Sequence, residues 1–148
     1  MSIPKIKKLD TSCLDELREL IGVFRNVFEM GPGQAPPDSY FKKLLKDSSF
    51  VCVVAMLNNK VVGGATAYIM SSYYDTYSEA YLYDIAILKE HQRTGIGHKL
   101  IDFLKNYCSI HNIKTMFVEA NEEDMEAVNF YHKTKASAEK VVHFNYYL

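Results

Sequence analysis

The chain predicts an α+β fold, a central mixed and mostly antiparallel sheet flanked by helices, and three observations carry that expectation. Two strand-forming runs, "FVCVVAML" and "VVGGATAYIM", are separated by a short polar link, which is the signature of a hairpin. Segments with three- and four-residue apolar spacing alternate with strand-like segments along the whole length. The stretch "LYDIAILKEHQRTGIGHKLIDFL" passes from strand formers through a glycine turn into an amphipathic helix, so the strand after it must run parallel to the strand before it. At 148 residues the expectation is a single domain, residues 1–148, long enough to bury roughly 68–70% of its unfolded surface.

The elements follow in order. Lys5 to Leu9 predicts a short first strand, and Thr11 or Ser12 can cap a helix whose apolar positions are Leu14, Leu17, Leu20, Ile21, Phe24 and Phe28. "GPGQAPP" cannot continue a helix, because proline removes donors and glycine adds backbone freedom, so it reads as a loop before a helix at Asp38 to Lys46. The hairpin spans Phe50 to Leu57 and Val61 to Met70, with Gly63 and Gly64 expected to mark a bulge. A polar, tyrosine-rich link leads to a strand from about Glu79 to Leu88. The glycine-turn helix then runs to about His111 with Leu100, Ile101, Leu104 and Tyr107 inward. Lys114 to Ala120 is the next strand, Glu123 to Lys133 a helix, and "KVVHFNYYL" a final strand.

Composition narrows the function classes. With 17 basic against 18 acidic residues there is no electrostatic bias towards nucleic acid. No run approaches the eighteen apolar residues of a membrane helix, and "MSIPKIKKLD" lacks an apolar signal core, so the expected location is the cytoplasm. Cys13, Cys52 and Cys108 are widely spaced among apolar neighbours, which reads as small buried hydrophobes. His91, His98, His111, His132 and His143 lack ligand spacing, so no metal is expected.

"QRTGIG" carries the first chemistry. A helix start leaves N–H groups unpaired and bears about half a positive charge, so it attracts anions. Gly95 and Gly97 remove side chains that would hold a phosphate away, while Gln92, Arg93 and Lys99 supply donors or charge. The same grammar also fits a turn whose glycines serve close packing. Neither the nucleotide P-loop pattern nor the dinucleotide fingerprint is met.

Asp84 lies on the strand before this turn. Strict alternation gives it Leu82 and Ala86 as neighbours on its own face, with Tyr81, Tyr83, Ile85 and Ile87 on the other. A carboxylate among apolar neighbours gains proton affinity, which suits a base and equally a buried acid bonded to backbone N–H groups. Glu79 and Glu119, at strand ends, are further proton acceptors, ligands for a cationic substrate, or solvated strand ends. Tyr68, Tyr73, Tyr74, Tyr77, Tyr81 and Tyr83 can line a pocket for a sugar or cation and also suit half-buried strands.

"QRTGIG" fits the Q/R-x-x-G-x-G/A acyl-CoA signature of the GNAT superfamily of N-acetyltransferases. It follows "YDIAIL" as that signature follows the superfamily's fourth strand, and "EAVNFYHK" sits where the late tyrosine-bearing helix does. From about Phe24 to Asn145 the chain looks like the aminoglycoside 3-N-acetyltransferase branch, in "VVGGATAYIM", "SEAYLYDIAI", "AVNFYHK" and "VHFN". It departs from that branch at Lys135, where the family usually has glycine, and at Asn145, where aspartate is expected.

The resemblance implies a GNAT fold and an acetyl-CoA-dependent N-acetyltransferase that transfers directly to a primary amine of an aminoglycoside- or polyamine-like acceptor. A protein or peptide acetyltransferase and a non-catalytic CoA-binding module are the alternatives. Asp84 takes the place of a family aspartate, and Tyr131 that of the tyrosine that protonates the departing thiolate. Gln92, Arg93, Thr94, Gly95, Ile96, Gly97 and His98 would hold the diphosphate. Backbone groups of Ile85, Ala86, Ile87 and Leu88 would pair with the pantetheine arm. Asp124 and Asn129 would contact CoA, although Asp124 is also a helix N-cap candidate. Glu79, Glu119 and His143 would border the acceptor. "HFNYYL" is apolar enough to serve as the shared strand of a homodimer.

Overall fold

The computed structural model describes residues 2–148. Contacts divide them into two compact units, one up to Val118 and one from Glu119 to Leu148.

In the first unit five strands form one sheet in sequence order: β1 (Lys5–Lys8), β2 (Phe50–Leu57), β3 (Lys60–Ser71), β4 (Ser78–Ile87) and β5 (Ile113–Phe117). Every neighbouring pair is antiparallel except β4 and β5, which are parallel. Two helices, α1 (Leu14–Val27) and α2 (Asp38–Lys46), precede β2, and α3 (Ile96–Ile110) makes the crossover between the parallel strands.

The sheet is covered on both faces. Phe50, Cys52 and Val54 of β2 join Leu17, Leu20 and Phe24 of α1, Phe41 and Leu45 of α2, and Ala86 of β4 in one buried cluster. Ala80, Cys108 of α3 and Ile113 form another. The three cysteines are buried and free, and burial pushes the Cys52 thiol up to about 12, so it packs as a small hydrophobe.

Local chemistry explains the ends of the elements. The hairpin loop is Asn58-Asn59, both at positive φ (49° and 61°), the backbone of a type I′ turn, which asparagine tolerates. α1 is not capped by Thr11 or Ser12. Instead the Ser12 N–H and hydroxyl both donate to Asp10 Oδ1 (2.8 and 2.5 Å), and Cys13 takes the cap position without a side-chain bond. Phe28 falls just past the helix end and is 42% exposed, stacked on Phe24 rather than buried.

The bulge beside the paired glycines sits one residue earlier than expected. Ala55 pairs with Gly63 and Met56 with Val61, which leaves Val62 as the extra residue. The glycines answer to proximity: a Cβ on Gly64 would lie 2.5 Å from the Val53 carbonyl oxygen and 2.6 Å from Leu20 Cδ1. α1 can press onto the sheet only because that side chain is missing.

In the second unit, α4 (Met125–Lys133) begins at Asp124, whose Oδ1 accepts the Ala127 N–H at 3.1 Å. It ends in a Schellman motif: Ala136 N–H donates to the Tyr131 carbonyl, Lys135 N–H to the His132 carbonyl, and Lys135 adopts a left-handed φ of 67°. Lys135 therefore stands where backbone sterics favour glycine, which accounts for the family's usual residue there. The expected final strand is absent. Residues 137–148 make no backbone hydrogen bond among the described residues and are exposed throughout, because no strand partner lies beside them.

Gly64→Ala should lower stability by about 1–3 kcal/mol, the range for overpacking a filled core. Urea denaturation measures it, and an unchanged midpoint would contradict the close-approach account.

Candidate active site

The site is built from β4 outward. In register with β3, Thr66 pairs with Asp84 but Ala67 pairs with Leu82, so Tyr83 is an extra residue in β4. A bulge reverses the parity of everything beyond it. Before it, Ala80 faces the α3 side; beyond it, Ala86 joins the cluster of α1 and α2. The strict alternation expected from the sequence is thereby corrected: Asp84 shares the α1 and α2 face with Tyr81 and Tyr83 rather than opposing them.

On that face the rings form a row. Phe50 meets Tyr68 at 5.4 Å between centroids, Tyr68 meets Tyr83 at 5.6 Å, Tyr83 meets Tyr81 at 5.6 Å, and Tyr81 stacks on Phe117 at 4.8 Å and 9°. Burial, with Tyr83, Tyr40 and Asp84 close by, holds the Tyr68 hydroxyl above the ordinary phenol range. Tyr73 and Tyr74 do not belong to the row; they stack on each other, 87% and 86% exposed, in the β3–β4 link. Tyr40, Phe50 and Phe117 escaped the sequence reading because their proximity depends on register and on the bulge.

Asp84 is half-buried, and loss of water raises its carboxyl above the usual range. Glu79 is exposed near the start of β4, opposite Met70 of β3 and Thr115 of β5.

β5 ends at Phe117, opposite Tyr81. Among the described residues, Leu82 to Ile87 therefore have a strand partner only in β3. The backbone of Ile85, Ala86 and Ile87 faces no neighbouring strand on its other side. Beyond Ile87 the chain turns through a short 3-10 segment, Lys89–His91, and reaches α3 at Gly95. Gln92 Nε2 donates to the Ile87 carbonyl at 2.9 Å and Thr94 Oγ1 to the His91 carbonyl at 2.6 Å, so both side chains hold the turn together.

The turn needs left-handed backbone twice, at Arg93 (φ 59°) and at Gly95 (φ 87°). A Cβ at Gly95 would meet nothing within 4 Å, so its freedom of φ is what the turn uses. α3 differs from the other helices in its charge. α1, α2 and α4 each carry an acidic residue in the first turn; α3 carries none and has no side-chain cap. Its positive end is uncompensated by the chain, with Arg93, His98 and Lys99 exposed around it and Ile96 and Gly97 buried.

The second unit holds the remaining candidates. Glu119 lies past the end of β5, not within it, and its Oε2 is 3.2 Å from His143 Nδ1, while His143 Nε2 is 3.1 Å from Asn145 Oδ1. Tyr131 is half-buried and its ring meets Phe130 edge-on at 5.3 Å; Val128, one turn earlier, is also half-buried. Asn129 is exposed on the same helix. Among the described residues no group of three or more His, Cys, Asp or Glu is placed to hold a metal ion, and no helix is long and apolar enough to cross a membrane.

Residues 14–135 match the family described as Acetyltransferase (GNAT) family. A crystal structure of the aminoglycoside acetyltransferase meta-AAC0020, from an uncultured soil metagenomic sample and in complex with sisomicin, is 38% identical, with a TM-score of 0.95 over 98% of this chain and 96% of that one. The aminoglycoside acetyltransferase HMB0005, also from an uncultured soil metagenomic sample, is 30% identical, with a TM-score of 0.94 over 100% of this chain and 99% of that one. N-alpha-acetyltransferase 60 of Xenopus tropicalis is 24% identical over 112 residues, covering 64% of this chain. The match spans 46% of that relative, less than half its length.

The raised carboxyl of Asp84 has a consequence for stability. A group whose pKa is higher folded than unfolded adds stability below its unfolded value and loses it as pH rises through the folded one. Asp84→Asn removes that loss, so its melting temperature should equal or exceed the parent's at neutral pH, with any gap closing below about pH 4. A variant that melts lower at neutral pH would show that the carboxylate is a structural anchor.

Proposed function

The chain belongs to the acetyltransferase (GNAT) family, and from that premise we propose that it transfers the acetyl group of acetyl-CoA directly to a primary amine of a small, cationic acceptor, aminoglycoside- or polyamine-like. The observation that carries the reading is the open stretch of β4 beyond Tyr81, followed at once by the acid-free, uncapped start of α3. An extended amide chain ending in a diphosphate has the chemistry to match both: backbone pairing along Ile85 to Leu88, then anion binding at Gly95 to His98. Arg93, Lys99 and the backbone of Thr94 add charge and donors around that end. Gln92 acts by holding the turn in shape.

Acetyl-CoA supplies an activated thioester. An alkyl ammonium with a pKa near 10.4 must lose a proton before it can attack, which costs roughly 4–5 kcal/mol at neutral pH. Asp84, half-buried and raised in proton affinity, is the base in this reading, acting directly or through one water. The tyrosines beside it offer ring faces to an ammonium or to a sugar. Tyr131 donates the proton that the thiolate takes on leaving. Placing the amine against the thioester supplies up to roughly 7–11 kcal/mol of the barrier reduction. Glu79, Glu119 and His143 border the acceptor in this reading, Asp124 and Asn129 lie towards CoA, and two chains assemble as a homodimer in the cytoplasm.

The acceptor class follows from likeness and from charge. The soil-metagenome enzyme whose structure holds sisomicin is similar over nearly the full length. Asp75, Glu79 and Asp84 add negative charge on β4 and the link that leads into it.

A thiol-release assay over aminoglycosides, polyamines and peptides tests the reading. CoA release is expected with the small cationic amines. Asp84→Asn and Tyr131→Phe should each lower turnover at least about tenfold with CoA affinity nearly unchanged. Release on peptides alone would overturn the small-acceptor reading, and CoA binding without release on any amine would identify a binding module.

A further inference from the structure

The segment after α4 is anomalous for a chain in water. Val142, Phe144, Tyr146 and Leu148 alternate with His143, Asn145 and Tyr147, the period-two pattern of a strand with one apolar face. Yet Val142 is 75% exposed, Phe144 78% and Tyr146 89%, and no backbone group from residue 137 onward is hydrogen bonded among the described residues. Its ties are side-chain contacts of His143 with Glu119 and Asn145. A contiguous exposed apolar run of this kind marks an interaction surface.

The same chain carries a matching vacancy. β5 is the edge of the sheet, paired only with β4 among the described residues, so its outer backbone groups have no strand beside them. An open edge is a template for strand addition. It is apolar where it ends: Phe117 is 37% exposed and stacked on Tyr81.

Resting on the homodimer reading above, we propose that the terminal run of one copy, residues 141–148, adds as a strand to the outer edge of β5 in a second copy, and that the second copy returns the same contact. Three arguments select another copy of this chain as the occupant. Donor strand and acceptor edge are both present in every chain, so exchange about a two-fold axis satisfies all four surfaces and closes. The tail does not fold back as a strand of its own sheet. The area is also sufficient: Phe144, Tyr146 and Tyr147 carry roughly 150–250 Å² each. Two tails and the surfaces beneath them therefore reach the roughly 1,200–2,000 Å² of a stable interface.

Sedimentation velocity on the full chain across a dilution series, paired with hydrogen exchange of β5, tests the proposal. The expected species has twice the 17.0 kDa chain mass, with slow exchange at Ile113 to Phe117. Deleting residues 141–148 should give a single-chain species with fast exchange in β5. Should the deletion fail to fold, the double variant Phe144→Asp, Tyr146→Asp serves: it must weaken the dimer at least about a hundredfold, whereas a solvent-exposed tail would tolerate it. A single-chain species at every concentration overturns the proposal, whether its β5 is open, covered by its own tail, or protected only on adding phosphatidylcholine vesicles. So does a dimer that survives loss of the tail. An active single chain would overturn the exchange while leaving the acetyl-transfer reading standing.

Discussion

The stop of β5 at Phe117 governs the architecture of the first unit. β4 is ten residues long but has β5 beside it only from Ser78 to Tyr81. A parallel neighbour requires a crossover, and α3 supplies it, so the helix must start near the end of β4 at which the second partner is missing. Unpaired strand backbone and an unpaired helix start thus come from a single topological choice. Either feature alone would be an ordinary strand edge or helix end. In sequence along one path, they form a surface of donors and acceptors that ends in a positive field.

The face that accompanies this surface depends on one extra residue. Tyr83 shifts β4 by one position, and the carboxyl of Asp84 consequently shares a face with tyrosines instead of opposing them. Partial burial raises its proton affinity without a partner charge, which gives a base matched to a proton that must leave an ammonium. The aromatic row is held by contacts between rings on three different strands, β3, β4 and β5, and by Phe50 of β2. Such a wall is built by register, which makes it rigid, and rigidity lets ring faces orient a cation.

Much of this was legible in the order of residues. Periodicity located both first-unit helices before the hairpin, Asn58-Asn59 gave the turn, and the glycines of "QRTGIG" placed the start of α3. What escaped depends on neighbours far away in sequence. Nothing local to "LYLYDIAI"-like alternation reveals that Tyr83 is unpaired, because the bulge is set by pairing with Thr66 and Ala67. Gly64 looked like a bulge residue and is instead a point of contact with Val53 and Leu20, a fact of packing between α1 and the sheet. "KVVHFNYYL" has the composition and the alternation of a strand, but a strand also needs an edge to pair with, and within one described chain it has none. The roles of Asp84 and Tyr131 came from likeness to a family, since one carboxylate and one tyrosine in a periodic pattern do not announce chemistry.

The central claim is that the open end of β4 and the start of α3 together receive the pantetheine arm and diphosphate of coenzyme A. Backbone amide chemical shifts, followed by NMR as CoA is titrated into the full chain, address it most directly. The account predicts saturable perturbations concentrated at residues 85–88 and 93–98. Perturbations that saturate elsewhere while these amides stay unmoved would contradict it.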